Sequence, residues 1–440
     1  VAIRKLATVG AMGIVTALAL SACSGSAGAG SAAAPSDGKV PEVDGAGEKI
    51  TVWVMQNDYT QETLDAINAE FTEKTGAEVT VQSQTWDGIT TKLTTALATD
   101  TPPDVVDVGN TQIASYAATG GLLDLTPYQD DLAQGQTWLD GLVEPATIEG
   151  SLYGVPGFAG ARAVIYNKKM WADAGVTEAP TTYEELTAAL DKVKAANAQT
   201  PDFSAFYLPG QYFYAGMQFV WDAGGDIAAE EGGEWTSGFS SDEAIEGLEA
   251  FKTFQNEYST AASATLDTFE PNQSQLFADG KTSAILNTNT GAILKINPAL
   301  EPELGTFPFP GISGEAQPVM LGGSDWAVPV KSKNSDLALN WVKIAASPEI
   351  QEEYVFGTDG WIPNSVEGIE FAQESLDDVK SSFFTAALTS KATPANANWT
   401  TIESNKAINS LFSAIASGSK SVEEAAKDFD ADADKTLNTQ

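Results

Sequence analysis

The 440-residue chain carries 23 Lys plus Arg against 60 Asp plus Glu, a net charge of −37, with one Cys and no His. These counts exclude imidazole catalysis, His-ligated metals, internal disulfides and Cys-rich zinc sites. Like charge argues against nucleic-acid backbones and anionic membrane surfaces as partners. A hydrophobic fraction of 43% supplies real cores, and the length suits about two or three lobes.

Arg4 and Lys5 precede an uncharged run from Leu6 to Leu20. That run falls short of the ~20 residues of an ordinary membrane span, so residues 1–22 read as an export signal. It ends Leu20-Ser21-Ala22-Cys23, which resembles the bacterial lipobox. The only Cys, Cys23, is then the lipidated residue and the mature N-terminus. Residues 23–48 are rich in Ser, Gly, Ala and Pro and read as a flexible tether. The expected location is the outer face of a bacterial cell membrane, with the lipid as the membrane contact.

The folded part is expected from Lys49. Ile50–Met55 is an apolar, β-branched strand that stops at Gln56-Asn57-Asp58. Leu64, Ile67 and Phe71 mark a helix that Gly76 closes. Glu78–Val81 is a second strand running to Trp86 and Asp87, and Ile89, Leu93 and Leu97 mark the next helix. Asp104–Val108 is a third strand, running into Gly109-Asn110-Thr111. Strand alternating with helix predicts an α/β fold with parallel pairing, whose ligands gather at the carboxyl ends of strands. Further along, Ala163–Tyr166 and Thr282–Leu286 read as strands. Thr182 with Glu185, and Ser240 with Glu243, read as capping boxes that open helices. Ile402, Ile408 and Leu411 predict one late helix. Asp430-x-Asp432-x-Asp434 has Lys435 where a calcium loop needs Gly, so it reads as a solvated acidic helix end.

Several short motifs occur in a fixed order. They are Phe71-x-x-x-Thr75-Gly76, Pro103-Asp104-Val105-Val106, Gly121–Pro127 and Tyr153-Gly154-Val155-Pro156. Tyr166-Asn167-Lys168, Pro180–Leu186, Phe277-x-x-Gly280-Lys281 and Ala346-Ser347-Pro348-Glu349 follow. Together they resemble family 1 of the extracellular solute-binding proteins of ABC sugar importers, the maltodextrin-binding-protein-like group. The resemblance covers residues 48–440. It implies a two-lobed periplasmic-binding-protein-like α/β fold with the ligand cleft between lobes joined by hinge crossings. Lobe 1 is expected at 48–160 plus 322–368, and lobe 2 at 161–321 plus 369–440. The crossings fall near Phe158–Arg162, Val319–Gly323 and Val366–Phe371.

A sugar site needs aromatic platforms beside amides and carboxylates. By position, the candidates in the first lobe are Asn57, Trp86, Asp87, Asn110 and Thr111. Arg162 sits at the first crossing. It either binds the ligand or braces the hinge. Tyr214, Asn287 and Asn289 follow in the second lobe. Asp325 and Trp326 follow the second crossing, Trp361 precedes the third, and Trp399 comes before the last helices. Relatives carry charged residues where this chain has Asn110 and Thr111, which points away from a maltose-like ligand. The expected function is a monomeric, non-enzymatic, lipid-anchored receptor. It binds a di- or oligosaccharide without cofactor or metal and hands it to the membrane permease. A same-fold receptor for a peptide or polyamine, and an exported glycoside hydrolase, are the alternatives.

Overall fold

The computed structural model describes residues 38–439. The export signal, Cys23 and the first part of the tether lie outside the described residues. The rest of the tether packs on the fold: Val40 is buried, and its amide donates to Asp131 at 2.9 Å. The Gly45 amide donates to the Thr75 carbonyl at 2.7 Å. The packed chain therefore starts about ten residues before the expected boundary at Lys49, because an apolar Val and a free backbone amide meet partners there.

Eight strands form the two main sheets. They are β1 (Lys49–Met55), β2 (Glu78–Gln84), β3 (Val105–Gly109), β4 (Val155–Gly160), β5 (Ala163–Asn167), β6 (Ala284–Asn287), β7 (Leu304–Phe307) and β8 (Gly322–Ala327). The first sheet runs β2-β1-β3-β8-β4 and the second β6-β5-β7. β1 pairs in parallel with β2 and β3, as the alternation of strand and helix predicts, whereas β8 runs antiparallel to both neighbours. Helices α1 (Gln61–Thr75) and α2 (Ile89–Ala98) connect the first strands. Their apolar stripes are the predicted ones: Leu64, Ile67 and Phe71, then Ile89, Leu93 and Leu97, are all buried. Gly76 closes α1 in the left-handed conformation at φ 76°, which a side chain resists.

The second sheet lies beside a helical core. Helices α3 (Phe213–Asp222) and α4 (Asp242–Tyr258) pack on one another, and their aromatic rings meet edge to face. The cap of α4 is Ser241, one residue after the predicted Ser240, because the Asp430 carboxylate already holds the Ser240 amide at 2.7 Å. At the other predicted box, Thr182 caps its helix and Glu185 reaches back to Thr181. Helix α5 (Asp378–Ala387) lies on β7. The predicted single late helix is two, α6 (Trp399–Ser404) and α7 (Ala407–Ser417), broken where Lys406 takes φ 60°.

The last helix, α8 (Val422–Leu437), corrects another expectation. Asp430 is buried and accepts hydrogen bonds from Ser237 Oγ, Phe239 N and Ser240 N. Asp434 accepts from Ser237 N at 2.7 Å. These acids stitch the hairpin Ala228–Glu231/Glu234–Ser237 to the C-terminus, so the acidic run is partly structural and not wholly solvated. No cluster of three or more Asp or Glu among the described residues is placed to hold a metal ion.

Two segments carry the chain between strands of the two sheets, and a third passage leads from the helix Ser335–Ala345, packed on α1, to α5, packed on β7. β4 ends at Gly160 and β5 starts at Ala163. The return runs through Val319-Met320, paired with Ser390-Lys391, and enters β8 at Gly322. The segment expected as a third crossing is the start of helix Val366–Gln373, and just before it Ile362 pairs with Ala159 of β4. Asp430→Ala removes three hydrogen bonds to a charged acceptor, at ~1.5 kcal/mol or more apiece. A urea melt is expected to show a loss of about 3–5 kcal/mol, and no loss would show that the hairpin stands without this anchor.

Candidate functional site

The crossing from β4 to β5 places three consecutive residues between two cavities. Gly160 lines a cavity of about 330 Å³ with Ala159, Thr288, Asn289, Trp361 and Lys380. Arg162, two residues on, lines a cavity of about 340 Å³ with Tyr212, Tyr214, Phe269, Gln273 and Asn287. Thr288 lines both, so the two cavities adjoin.

Arg162 is fixed from several sides. Its Nε donates to the Tyr212 hydroxyl at 2.9 Å, and that hydroxyl donates to the Leu286 carbonyl at 3.3 Å. Its Nη1 donates to the Met320 carbonyl at 3.2 Å, on the return crossing. The guanidinium lies 4.2 Å from the centre of the Tyr214 ring, a cation–π contact. Arg162 therefore braces one crossing against the other while its edge faces the cavity. Burial, then the nearby Glu403 carboxyl, push the Tyr214 hydroxyl up to about 12, so it stays a neutral donor. Burial likewise pushes Glu403 up to about 7, although the Trp399 indole donates to it at 2.9 Å.

On the first sheet an aromatic ladder leads to the site. Trp341 meets Trp326 edge-on at 4.7 Å, and Trp326 stacks on Tyr59 at 5.0 Å. Tyr59 meets Phe158 edge-on at 5.3 Å, and Phe158 stacks on Trp361 at 4.7 Å. The ladder runs from the core to a half-buried indole on the cavity wall. Trp361 Nε1 donates to the Asp58 backbone carbonyl at 2.7 Å. The Asp58 carboxylate accepts from Ser324 Oγ at 3.0 Å and is also eased by the Trp86 indole. The Asp58 backbone thus anchors Trp361. Trp86 is 43% exposed, with one edge against Gly109.

Beneath these rings lie three buried carboxyls with no lysine or arginine paired to them among the described residues. Asp107 Oδ2 accepts from the Met55 amide at 2.9 Å. Both oxygens of Asp325 are buried without a partner. Burial raises all three, and the neighbouring Asp58 carboxyl pushes Asp107 up further.

The predicted residues divide accordingly. Trp361 and Asn289 line one cavity, and Arg162, Tyr214 and Asn287 line the other. Asn289 spends its Oδ1 on the Gly291 amide, and Asn287 bonds Ser274 and the Thr288 amide. Trp86 presents an open ring at the end of β2, with Asp87 exposed beside it. Asn57 is exposed at φ 74° at the end of β1, and Thr111 is half-buried. Four assignments are corrected. Asn110 is buried and donates to the Gly141 and Leu321 carbonyls, so it fastens backbone. Asp325 is 0% and Trp326 1% exposed, and both belong to the first-sheet interior. Trp399 is 1% exposed within the helical core and offers no open face. Tyr212, Phe269 and Thr288 complete the walls and Asp58 is buried; none of the four was among the predicted contacts. The one signal for Asp58 was its place beside Asn57 at a strand end.

A family model described as bacterial extracellular solute-binding protein matches residues 57–352. The diacetylchitobiose binding protein DasA of Streptomyces coelicolor is 35% identical over 445 residues, covering 99% of each chain. The maltodextrin-binding protein MdxE of Bacillus subtilis is 24% identical, covering 94% of this chain and 93% of that one. The solved structure of the sugar-binding protein MalE from Xanthomonas citri superposes with a TM-score of 0.75 at 22% identity. It covers 88% of this chain and 97% of that one, so the two share the two-lobed α/β fold.

The buried acids set a pH dependence. Each carboxyl is raised in the fold above its value in the unfolded chain. Their contribution to stability is therefore full below the unfolded value and is lost as pH rises through the folded one. For Glu403 that window runs from 4.5 to about 7. Glu403→Gln is expected to leave urea stability at about pH 4 unchanged and to raise it by up to about 3 kcal/mol at about pH 8. Asp325→Asn is expected to act in the same direction. Equal gains at both pH values would assign the effect to packing instead of charge.

Proposed function

Because this chain belongs to the bacterial extracellular solute-binding protein family, whose members are non-enzymatic transport components, we propose that it captures a neutral di- or oligosaccharide between its lobes and delivers it to the permease of an ABC importer. The observation that carries this reading is the pair of adjoining cavities on either side of the β4–β5 crossing. One is walled by an indole and the other by a Tyr–Arg stack with amides beside it. Sugar rings present weakly apolar C–H faces and polar edges, and such walls match both. The relative at 35% identity is named for diacetylchitobiose, so an acetylated amino-sugar disaccharide is the first candidate.

The two crossings act as the hinge in this reading, with Arg162 as their tie. The lobes are those expected from sequence, 48–160 plus 322–368 and 161–321 plus 369–440. Closure brings Trp86 and Trp361 toward Tyr214 around the ligand. Lipidation of Cys23 holds the monomeric receptor at the outer face of the membrane. No helix among the described residues is long and apolar enough to cross a membrane.

A thermal-shift panel of diacetylchitobiose, maltose, cellobiose, maltotriose, a tripeptide and spermidine tests the ligand class. A ligand present at about 100 times its dissociation constant stabilises by ~2.7 kcal/mol. One saccharide is expected to shift the melt, and a shift with only the peptide or polyamine would reject the sugar reading. Trp86→Ala is expected to weaken that saccharide about tenfold (~1.4 kcal/mol) without lowering the unliganded melt.

A further inference from the structure

Among the described residues, the most exposed large apolar side chain is Phe269, at 73%. It is not on a loose loop. The Asp267 carboxylate accepts from the Phe269 and Glu270 amides at 2.8 and 3.0 Å. The Gln273 amide donates to the Thr268 carbonyl at 3.1 Å, and Phe269 bridges to Asn272. Gln211 ties the loop to the helix start that carries Tyr212 and Tyr214. Its amide donates to Leu266 O at 2.9 Å and its Nε2 to Thr265 O at 2.6 Å.

The fold thus builds a fixed support and sets a bare aromatic ring on it. Among the described residues no other ring stacks on Phe269, although Phe213 and Tyr214 of the same cavity meet at 4.0 Å. The ring shares its cavity with Arg162, Tyr212, Tyr214 and Asn287. An apolar ring left uncovered gains free energy when something apolar covers it. In this cavity the polar atoms can hold a sugar's hydroxyl edges, and the ring can take a C–H face.

We infer that Phe269 is a ligand-contact residue that covers the C–H face of a second sugar ring and makes the site prefer disaccharides to monosaccharides. The inference rests on the saccharide reading and adds a residue and a chain-length preference to it. The first ring lies against the Tyr214–Arg162 stack, and Phe269 contributes nothing to it.

Calorimetric titration of the full chain tests this, with diacetylchitobiose against N-acetylglucosamine and maltose against glucose as probes. Phe269→Ala is expected to weaken the bound disaccharide about tenfold, ~1.4 kcal/mol, and its monosaccharide by less than about twofold. Phe269→Trp is expected to keep the preference, since it keeps the flat apolar face. The unliganded melting temperature of Phe269→Ala should match the parent, because the ring has little cover to lose. If the unsubstituted chain binds none of these four sugars nor any other saccharide of the thermal-shift panel, the saccharide reading fails and this inference with it. If it binds but Phe269→Ala is unchanged, or weakens mono- and disaccharide equally, this inference alone is overturned.

Discussion

Two short backbone segments join strands of the two sheets, and one guanidinium ties them together. Arg162 sits on the outgoing segment and bonds Met320 on the returning one. Apart from Arg4 in the expected export signal, it is the only arginine in the chain. Its planar fork suits the task, because one edge can meet a hydroxyl and a carbonyl while the face stacks on Tyr214. A lysine would supply the charge without the plane. The tie therefore holds the outgoing and returning segments against one another.

The first sheet contributes stiffness where the second contributes polarity. A run of rings from Trp341 to Trp361 transmits the packing of the core to the cavity wall. The Asp58 carbonyl orients Trp361 at its end. The carboxyls below are unpaired by cations, and burial keeps them protonated or hydrogen-bonded. The fold bears this electrostatic strain next to a site that handles ligand, where local rules are most often broken.

Most of the secondary structure was legible because it depends on local spacing. Leu64, Ile67 and Phe71 bury one face whatever else the chain does. The site was only half legible. A tryptophan at a strand end reads the same whether tertiary packing covers it, as at Trp326, or leaves it open, as at Trp86. Asn110 had the right residue type at the right turn, but distant carbonyls of Gly141 and Leu321 claim its amide. Phe269 had no periodic partner to mark it as core or surface. The shift of the α4 cap to Ser241 was beyond local reading, since Asp430 lies almost two hundred residues away.

That distant stitch also fixes an order of assembly. The first sheet has all its strands once Ala327 is made. The helical core of the second lobe stays unfinished until α8 supplies Phe429, Asp430 and Asp434. A nascent chain that stops before Ser421 would carry the strands of both sheets and a helical core open at its hairpin side. Chain elongation thus completes the two lobes at different times, and the last sixteen-residue helix is the closure of the second.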